Sequence, residues 1–525
     1  KVAMWAGDPA YQPAVQSASG KAEDLSKLIS GGSTQWGDPI TVESELSDDQ
    51  TNAYVVDKIG VPFNNPLEPK MRIGAFDFFK DGKTAAVCTW DGDVWIISHI
   101  DEKLDKVTWK RFATGLHEPL GLKVVNEKIY TVGDNQITRF HDFNGDNEAD
   151  FLENFNNDWE NTEGFHAFCF DLHTDPEGNF YFAMGCPVRA GGRGFERMGK
   201  QHGSVIKVSP DGKDMSIYAS GFRAPNGIGV GPNGEVTTGD NEGSFVPTAP
   251  LHWVKPGSFN GVVDAYHGTR KLKSSPILGY EIEYKDWKKY KANEREGFEH
   301  DPSEAPKPLV WMSKKRGIDN SGGGQAWVTS DKWGPLKDQF LHLSYGQSKM
   351  YVVLKEEKHG QMQGGVARIP VELSSSAMRA RINPRDGQLY VSGLKGWQTN
   401  AKGNGGLDRI RYTGKPVHLP KSIKVKKDVV EIGFYEALDP EAANSLSQFK
   451  FGAWNLKWSF NYGSPEIPIK ELELKKVELL EDGKTIALHI PNLKPVHMAQ
   501  IDYDIKSANG EEIKGRIDHT IHVVE

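Results

Sequence analysis

Along most of the chain, apolar residues alternate with polar ones in short runs, and each run stops at a turn rich in Gly, Asn or Asp. The stretches "AFDFFKDGKTAAVCTWDGDVWIIS", "GLKVVNEKIYTVGD", "FDLHTDPEGNFYFAMG", "GIGVGPNGEVTTGD", "GPLKDQFLHLSYGQSKMYVV" and "ARINPRDGQLYVSG" share this grammar. A period of two puts successive side chains on opposite faces, the mark of half-buried strands. The turns between them need residues that tolerate positive φ. They fall near residues 82, 127, 178, 234, 338 and 387. Most intervals are about fifty residues, the spacing of propeller blades built from four short strands. The pattern predicts an all-β chain with a six-bladed β-propeller over residues 71–415, seven blades being the alternative. The long interval from 234 to 338 holds an insertion or a degenerate extra blade. Its stretch "GYEIEYKDWKKYKANEREGFEHDPSEAPKP" is charged and poor in aliphatics, which favours an insertion. The last blade, near "RINPRDGQLYVSG", is expected to be completed by chain from before residue 80, because closure removes two exposed sheet edges.

Outside this region the pattern changes. Residues 1–70 are rich in Asn, Pro and Asp and are expected to pack irregularly around the propeller, with "KAEDLSKLI" as one short helical candidate. After a Pro-containing linker at 416–420, residues 418–525 alternate strictly and turn at Asp482-Gly483 and Asn509-Gly510. That predicts a small C-terminal antiparallel β-sandwich.

Composition narrows the function only slightly. The chain has 525 residues with 56 Gly and 29 Pro, and a net charge of −8 spread along its length. A dispersed, mildly negative charge points away from nucleic acid. No apolar run is long enough to span a bilayer. The first residues, "KVAMWAGDPAYQ", lack the apolar region of a signal peptide. A chain starting at Lys1 is read as processed or truncated, which leaves export open. The three cysteines (Cys88, Cys169 and Cys186) form neither a disulfide framework nor a C-x-x-C-H haem motif. Cys169 and Cys186 are either buried thiols or a pair across neighbouring strands.

Two phrases nearly rhyme: "GLHEPLGL" at 115–122 and "GFRAPNGI" at 221–228. Each stands before a predicted inner strand, where loops converge on the propeller channel. Their variable residues, His117 with Glu118 and Arg223 with Asn226, are placed to face a ligand or merely to cap the blade. His166 holds the same position in its own unit, "EGFHAFCFDLHTDPEGNFYF", and suits a general base because its ordinary pKa lies near neutrality. Arg223 and Asn226 suit carboxylate or carbonyl oxygens. Glu242 and Gly243 end the next strand, where a carboxylate and free carbonyls suit a cation. Arg379 and Arg381 share one strand face, which suits an anionic ligand. In "DFNGDNEAD", Asp142, Asn144, Asp146, Glu148 and Asp150 recur at every second residue around Gly145, a spacing of oxygen ligands that suits calcium in a structural role. The Gly-rich "KKRGIDNSGGGQ" lacks the spacing of a phosphate loop.

Taken together, "GFHAFCFDLHTDPEGNFYF", "HGSVIKVSPDG", "GFRAPNGIGVGPNG", "KPGSFNG" and "RINPRDGQLYV" resemble the soluble glucose/sorbosone dehydrogenase family of six-bladed quinoproteins. "GQMQGGVARIP", "NPRDGQLYVSGLKGWQT" and "RIRYTGKPV" are similar to its large multidomain relatives in Planctomycetes and Verrucomicrobia, the membrane-bound dehydrogenase or haem-binding-domain proteins. The resemblance spans roughly residues 70–415. It implies pyrroloquinoline quinone with calcium, a sugar or polyol substrate, a periplasmic or extracellular setting and a separate electron acceptor of cytochrome type. On that basis His166 falls at the catalytic base, and Arg223 at the arginine that holds the quinone. Glu242, Gly243 and Ser244 fall near the calcium-holding turn, and Arg379 or Arg381 at the arginines over the cofactor. Three positions depart from the family: Ala224 stands for Asn, Glu242 for Gln, and the arginine pair lies two residues closer to its turn. The competing functions are a carbohydrate- or protein-binding propeller without cofactor, and a polysaccharide lyase or hydrolase using His166 as base.

Overall fold

The computed structural model describes residues 26 and 31–525, except 163, 165, 190, 191, 193, 194, 244, 245, 263–306 and 458–461. The candidate helix "KAEDLSKLI" and Ser244 thus lie outside the described residues, except for Ser26. Nearly all regular structure is antiparallel β.

Six blades of four antiparallel strands stand around one axis, and their innermost strands are Ile73–Phe78, Gly121–Val125, Cys169–Thr174, Ile228–Val230, Gly322–Trp327 and Arg379–Ile382. Each inner strand neighbours the next, and Arg379–Ile382 returns to Ile73–Phe78, so the ring is closed. We number these blades 1 to 6 in that order. All six turns singled out by the alternation lie between the first and second strands of a blade. Within blade 4, residues 255–309 separate the strands Ala249–Val254 and Val310–Met312, so the long interval adds chain between strands of one sheet.

Blade 6 takes its outer strand, Tyr54–Lys58, from the N-terminal region, pairing it with Gly405–Tyr412. Asp57 in that strand is fully buried and accepts from Arg409 Nε at 2.9 Å and from Arg411 Nε at 2.8 Å. The closure is thus an ion-paired seam as well as a hydrogen-bonded ladder. Blade 1 gains a short fifth strand, Ile40–Thr41, from the same region.

The C-terminal residues form two sheets over a shared core, but one of those sheets is continuous with blade 5. Strand Glu512–Ile521 pairs with the blade-5 strand Gln361–Ile369, from Gly364↔Thr520 to Ala367↔Ile517. The second sheet joins Pro420–Lys426, Val429–Phe434, Thr485–His489 and Lys476–Leu479. One apolar cluster runs from Leu343 and Val352 of blade 5 to Val430, Ile486, Ile501 and Ile517. The Pro-containing segment at 416–420 therefore marks a change of sheet without a break in packing.

The axis itself is filled. Asp171 sits on a bulge where the register between Cys169–Thr174 and Phe180–Met184 shifts, with φ 58°, and the bulge turns its side chain inward. A Cβ on Gly121 would come within 2.4 Å of the Asp171 carbonyl, so only glycine allows blades 2 and 3 to meet so closely.

Candidate functional site

The mouth of interest lies at the upstream ends of the inner strands. His166 precedes Cys169–Thr174 by three residues, and Arg223 stands five residues ahead of Ile228–Val230. Asp240 locks the second phrase in place. This buried carboxylate accepts the amides of Arg223, Ala224 and Asn241, each at 2.7 Å. Burial still pushes its carboxyl up to about 6, against the pull of those amides and of the Arg223 charge. The Cys186 thiol donates to the Phe222 carbonyl at 3.2 Å, and the Cys88 thiol makes the same contact to Pro119 in the first phrase at 3.3 Å. All three cysteines are buried thiols, so Cys169 and Cys186 are not paired.

Behind this frame lies a cavity of about 350 Å³ lined by His166, Phe168, Arg223, Asn241, Lys314 and Trp397, with Phe170, Ala224, Gln398 and Tyr462 completing the wall near Val188 and Gly192. Its size falls in the range of small-ligand sites. Phe168 and Trp397 stack at 5.4 Å with 20° between their planes, making a flat apolar face. Among the described residues, two cations line the cavity and no carboxylate does. Arg223 donates from Nη2 to the Gly192 carbonyl at 2.7 Å, and its guanidinium carbon lies 5.4 Å from the Tyr462 ring centre. Tyr462 belongs to the C-terminal region, which docks here through Glu466 on Ser313 and Arg316, with Arg316 over the Trp454 ring at 3.4 Å.

His166 is half-buried, and its pKa is pushed down to about 4, first by burial and then by the Arg223 charge. The imidazole is therefore neutral at neutral pH and able to accept a proton. Glu242 is a neighbour behind the wall. Its carboxylate lies 3.5 Å from Lys314 Nζ, and burial raises its carboxyl while Lys314 and Arg223 oppose the rise.

Asn226, Arg379 and Arg381 do not line this cavity; they fill the axis below it. Arg379 is fully buried and donates to the carbonyls of Asn226, Met378 and Leu120 at 2.9–3.0 Å. Arg381 donates to Asp171 Oδ1 at 2.9 Å, and Arg379 Nε lies 3.4 Å from Asp171 Oδ2. Burial raises the Asp171 carboxyl, but Arg379, His173 and Arg381 together hold it well below the usual carboxylate range. The sequence placed both arginines on one inward face without indicating that Asp171 would claim them. His173 lies 3.4 Å from the same carboxylate and lines a second cavity at the opposite end of the axis.

At both expected calcium positions a cationic side chain stands close to the candidate ligands. At the Glu242–Gly243 turn the Arg223 guanidinium packs against Gly243, where a Cβ would lie 2.3 Å from Arg223 Nε. Lys314 already pairs with Glu242. In the 142–150 loop the oxygens are aimed at backbone amides: Asp142 accepts from Gly145 and Asn147, and Asp146 from Glu148. Asp150 accepts from Gly32 and Phe143, while Glu148 turns inward to Gln35 and Trp36. Lys110 Nζ bonds the Asp146 carbonyl at 2.6 Å. The acidic spacing thus serves as a latch for residues 32–36. Among the described residues, this loop is not one of the places where three metal-ligating His, Cys, Asp or Glu side chains gather within 4.8 Å.

No protein-family model matches the chain, and no curated protein matches it by sequence. Solved structures similar to it include a putative oxidoreductase (glucose dehydrogenase) from Thermus thermophilus, at 14% identity and TM-score 0.46, covering 68% of this chain and 99% of that one. The holo pyranose dehydrogenase PQQ domain from Coprinopsis cinerea is similar at 11% identity and TM-score 0.45, covering 70% and 97%. The RRP9 WD40 repeats are similar at 11% identity and TM-score 0.37, covering 70% and 99%. Likenesses at these levels leave the function to be argued from the chain's own residues. No helix among the described residues is long and apolar enough to cross a membrane.

Proposed function

We propose that the cavity at the upstream mouth oxidises an alcohol of a sugar or polyol, using a bound quinone of the pyrroloquinoline type. The observation that carries this reading is the pairing of a neutral, half-buried imidazole with two cations in a cavity whose described wall carries no acid. Such a wall suits a flat, multiply carboxylated ligand: Arg223 and Lys314 supply charge, and the Phe168–Trp397 face supplies a stacking surface. When bound, a quinone supplies a two-electron acceptor that no side chain provides. His166, neutral at neutral pH, takes the hydroxyl proton. Arg223 and Lys314 hold the anionic ligand, and the Tyr462 wall shields it from water. Calcium forms no part of this proposal, because cationic side chains stand at both candidate turns. A periplasmic or extracellular setting and a separate cytochrome-type acceptor would suit such an enzyme.

A second reading, a carbohydrate-binding propeller without chemistry, is favoured by the commitment of Arg379 and Arg381 to Asp171, which leaves fewer groups for a cofactor. The two readings separate on cofactor binding. Pyrroloquinoline quinone titrated into the purified chain should quench Trp397 fluorescence saturably with calcium chelated. Arg223→Ala should weaken that binding about ten-fold or more, the range for loss of a charged hydrogen-bond partner. No saturable quenching would favour the binding-module reading.

A further inference from the structure

The two rhyming phrases are held by equivalent aspartates that meet different surroundings. Asp240 closes "TTGD" in blade 4 and is saturated by the amides of Arg223, Ala224 and Asn241. Asp134 closes "YTVGD" at the same place in blade 2 and is only 6% exposed. Yet among the described residues its carboxylate receives a single backbone amide, from Cys169, at 3.3 Å. Glu118 stands where the other phrase has Ala224, and its carboxylate is turned onto Asp134. His117 stands where the other phrase has Arg223. One ligand atom from each of His117, Glu118 and Asp134 lies within 4.8 Å of the others. Two carboxylates and an imidazole converging at a buried spot need either a proton shared between the acids or a cation among the three groups.

We infer that His117, Glu118 and Asp134 form a binding site for a divalent first-row transition metal ion of the zinc type. One imidazole with two carboxylates is a donor set such ions accept, and three protein ligands leave a position for water or a ligand on the exposed His117 side. The repeated phrase then has two uses at one mouth. In blade 4 it presents a cationic side chain, and in blade 2 it presents the groups that hold a cation. The site is independent of the quinone reading.

A comparable trio, His418, Glu436 and Glu511, lies in the C-terminal region and serves as the internal control. There Nδ1 faces Glu436 at 3.3 Å and Nε2 faces Glu511 at 3.5 Å, so the imidazole lies between two separate carboxylates. The test is calorimetric titration of Zn²⁺ into the metal-stripped full chain, with Co²⁺ absorbance as a second readout. One equivalent should bind to the wild type and to His418→Ala, and bind at least about ten-fold more weakly to His117→Ala and Glu118→Gln. The Co²⁺ ligand-field band should be lost in Glu118→Gln, whose unchanged melting temperature would show that the fold is intact. Should Glu118→Gln misfold, His117→Ala, on the exposed side, carries the test. Equal zinc affinity in wild type and His117→Ala, loss confined to His418→Ala, or no zinc uptake by the wild type would each overturn the inference.

Discussion

At the scale of single residues, His166 has a titration that can be read without any substrate. Its folded pKa of about 4 arises mainly from burial and secondarily from Arg223. A depressed histidine favours the fold when neutral, so its contribution is complete above the ordinary value near 6.5. That contribution is lost as pH falls from there towards 4. Histidine NMR should show an imidazole titrating near pH 4 that is absent in His166→Gln, beside those of His497 and His522, which burial also pushes down to about 4. Arg223→Ala should move that titration upward without restoring the ordinary value, since desolvation remains. A His166 signal titrating near 6.5 in the wild type would mean the ring stands in open solvent. The positions of His166 and Arg223 were legible because each follows a Gly-Phe pair just upstream of an inner strand. The uses of Arg379, Arg381 and Asn226 were not, because the partner that claims the arginines is Asp171 on a bulge, and a bulge breaks the alternation from which inward and outward faces are read.

Among the elements, the strand Tyr54–Lys58 does most to close the ring. It carries Asp57, which holds Arg409 and Arg411 across the seam in a buried setting. Removing one partner of a buried ion pair strands the others. Asp57→Ala should therefore cost about 3–5 kcal/mol in urea unfolding. Lys58→Ala, whose ion pair with Glu45 is solvent-exposed, should cost less than about 1 kcal/mol. Equal and small losses would mean that blade 6 does not depend on this strand. The strand itself was foreseeable from the need to remove open edges, although residues 51–58, "TNAYVVDK", carry only a short apolar run. The acidic loop at 142–150 shows the opposite case. Its spacing is that of a calcium ligand set, but alternating acids serve equally well as acceptors for the loop's own amides. Sequence spacing does not distinguish the two, because both need oxygens at every second position around a glycine.

Across the whole molecule, the six inner turns were written in the sequence as Gly-, Asn- and Asp-rich breaks, and the chain inside blade 4 was visible as a charged interruption. Hidden from the sequence was the joining of the C-terminal strands to blade 5, since alternation identifies a strand but not the edge it pairs with. That joining matters to the mouth, because it brings Tyr462 to Arg223 and Glu466 to Arg316. The most direct measurement is turnover by the full chain loaded with pyrroloquinoline quinone, in calcium-free buffer with a dye acceptor, against a panel of sugars and polyols. Dye reduction should depend on both sugar and quinone, and His166→Ala should lower kcat by about 10²–10⁴-fold while quinone binding stays within a few-fold of wild type. Quinone-independent reduction, no reduction with any sugar or polyol tested, or full activity in His166→Ala would contradict the account.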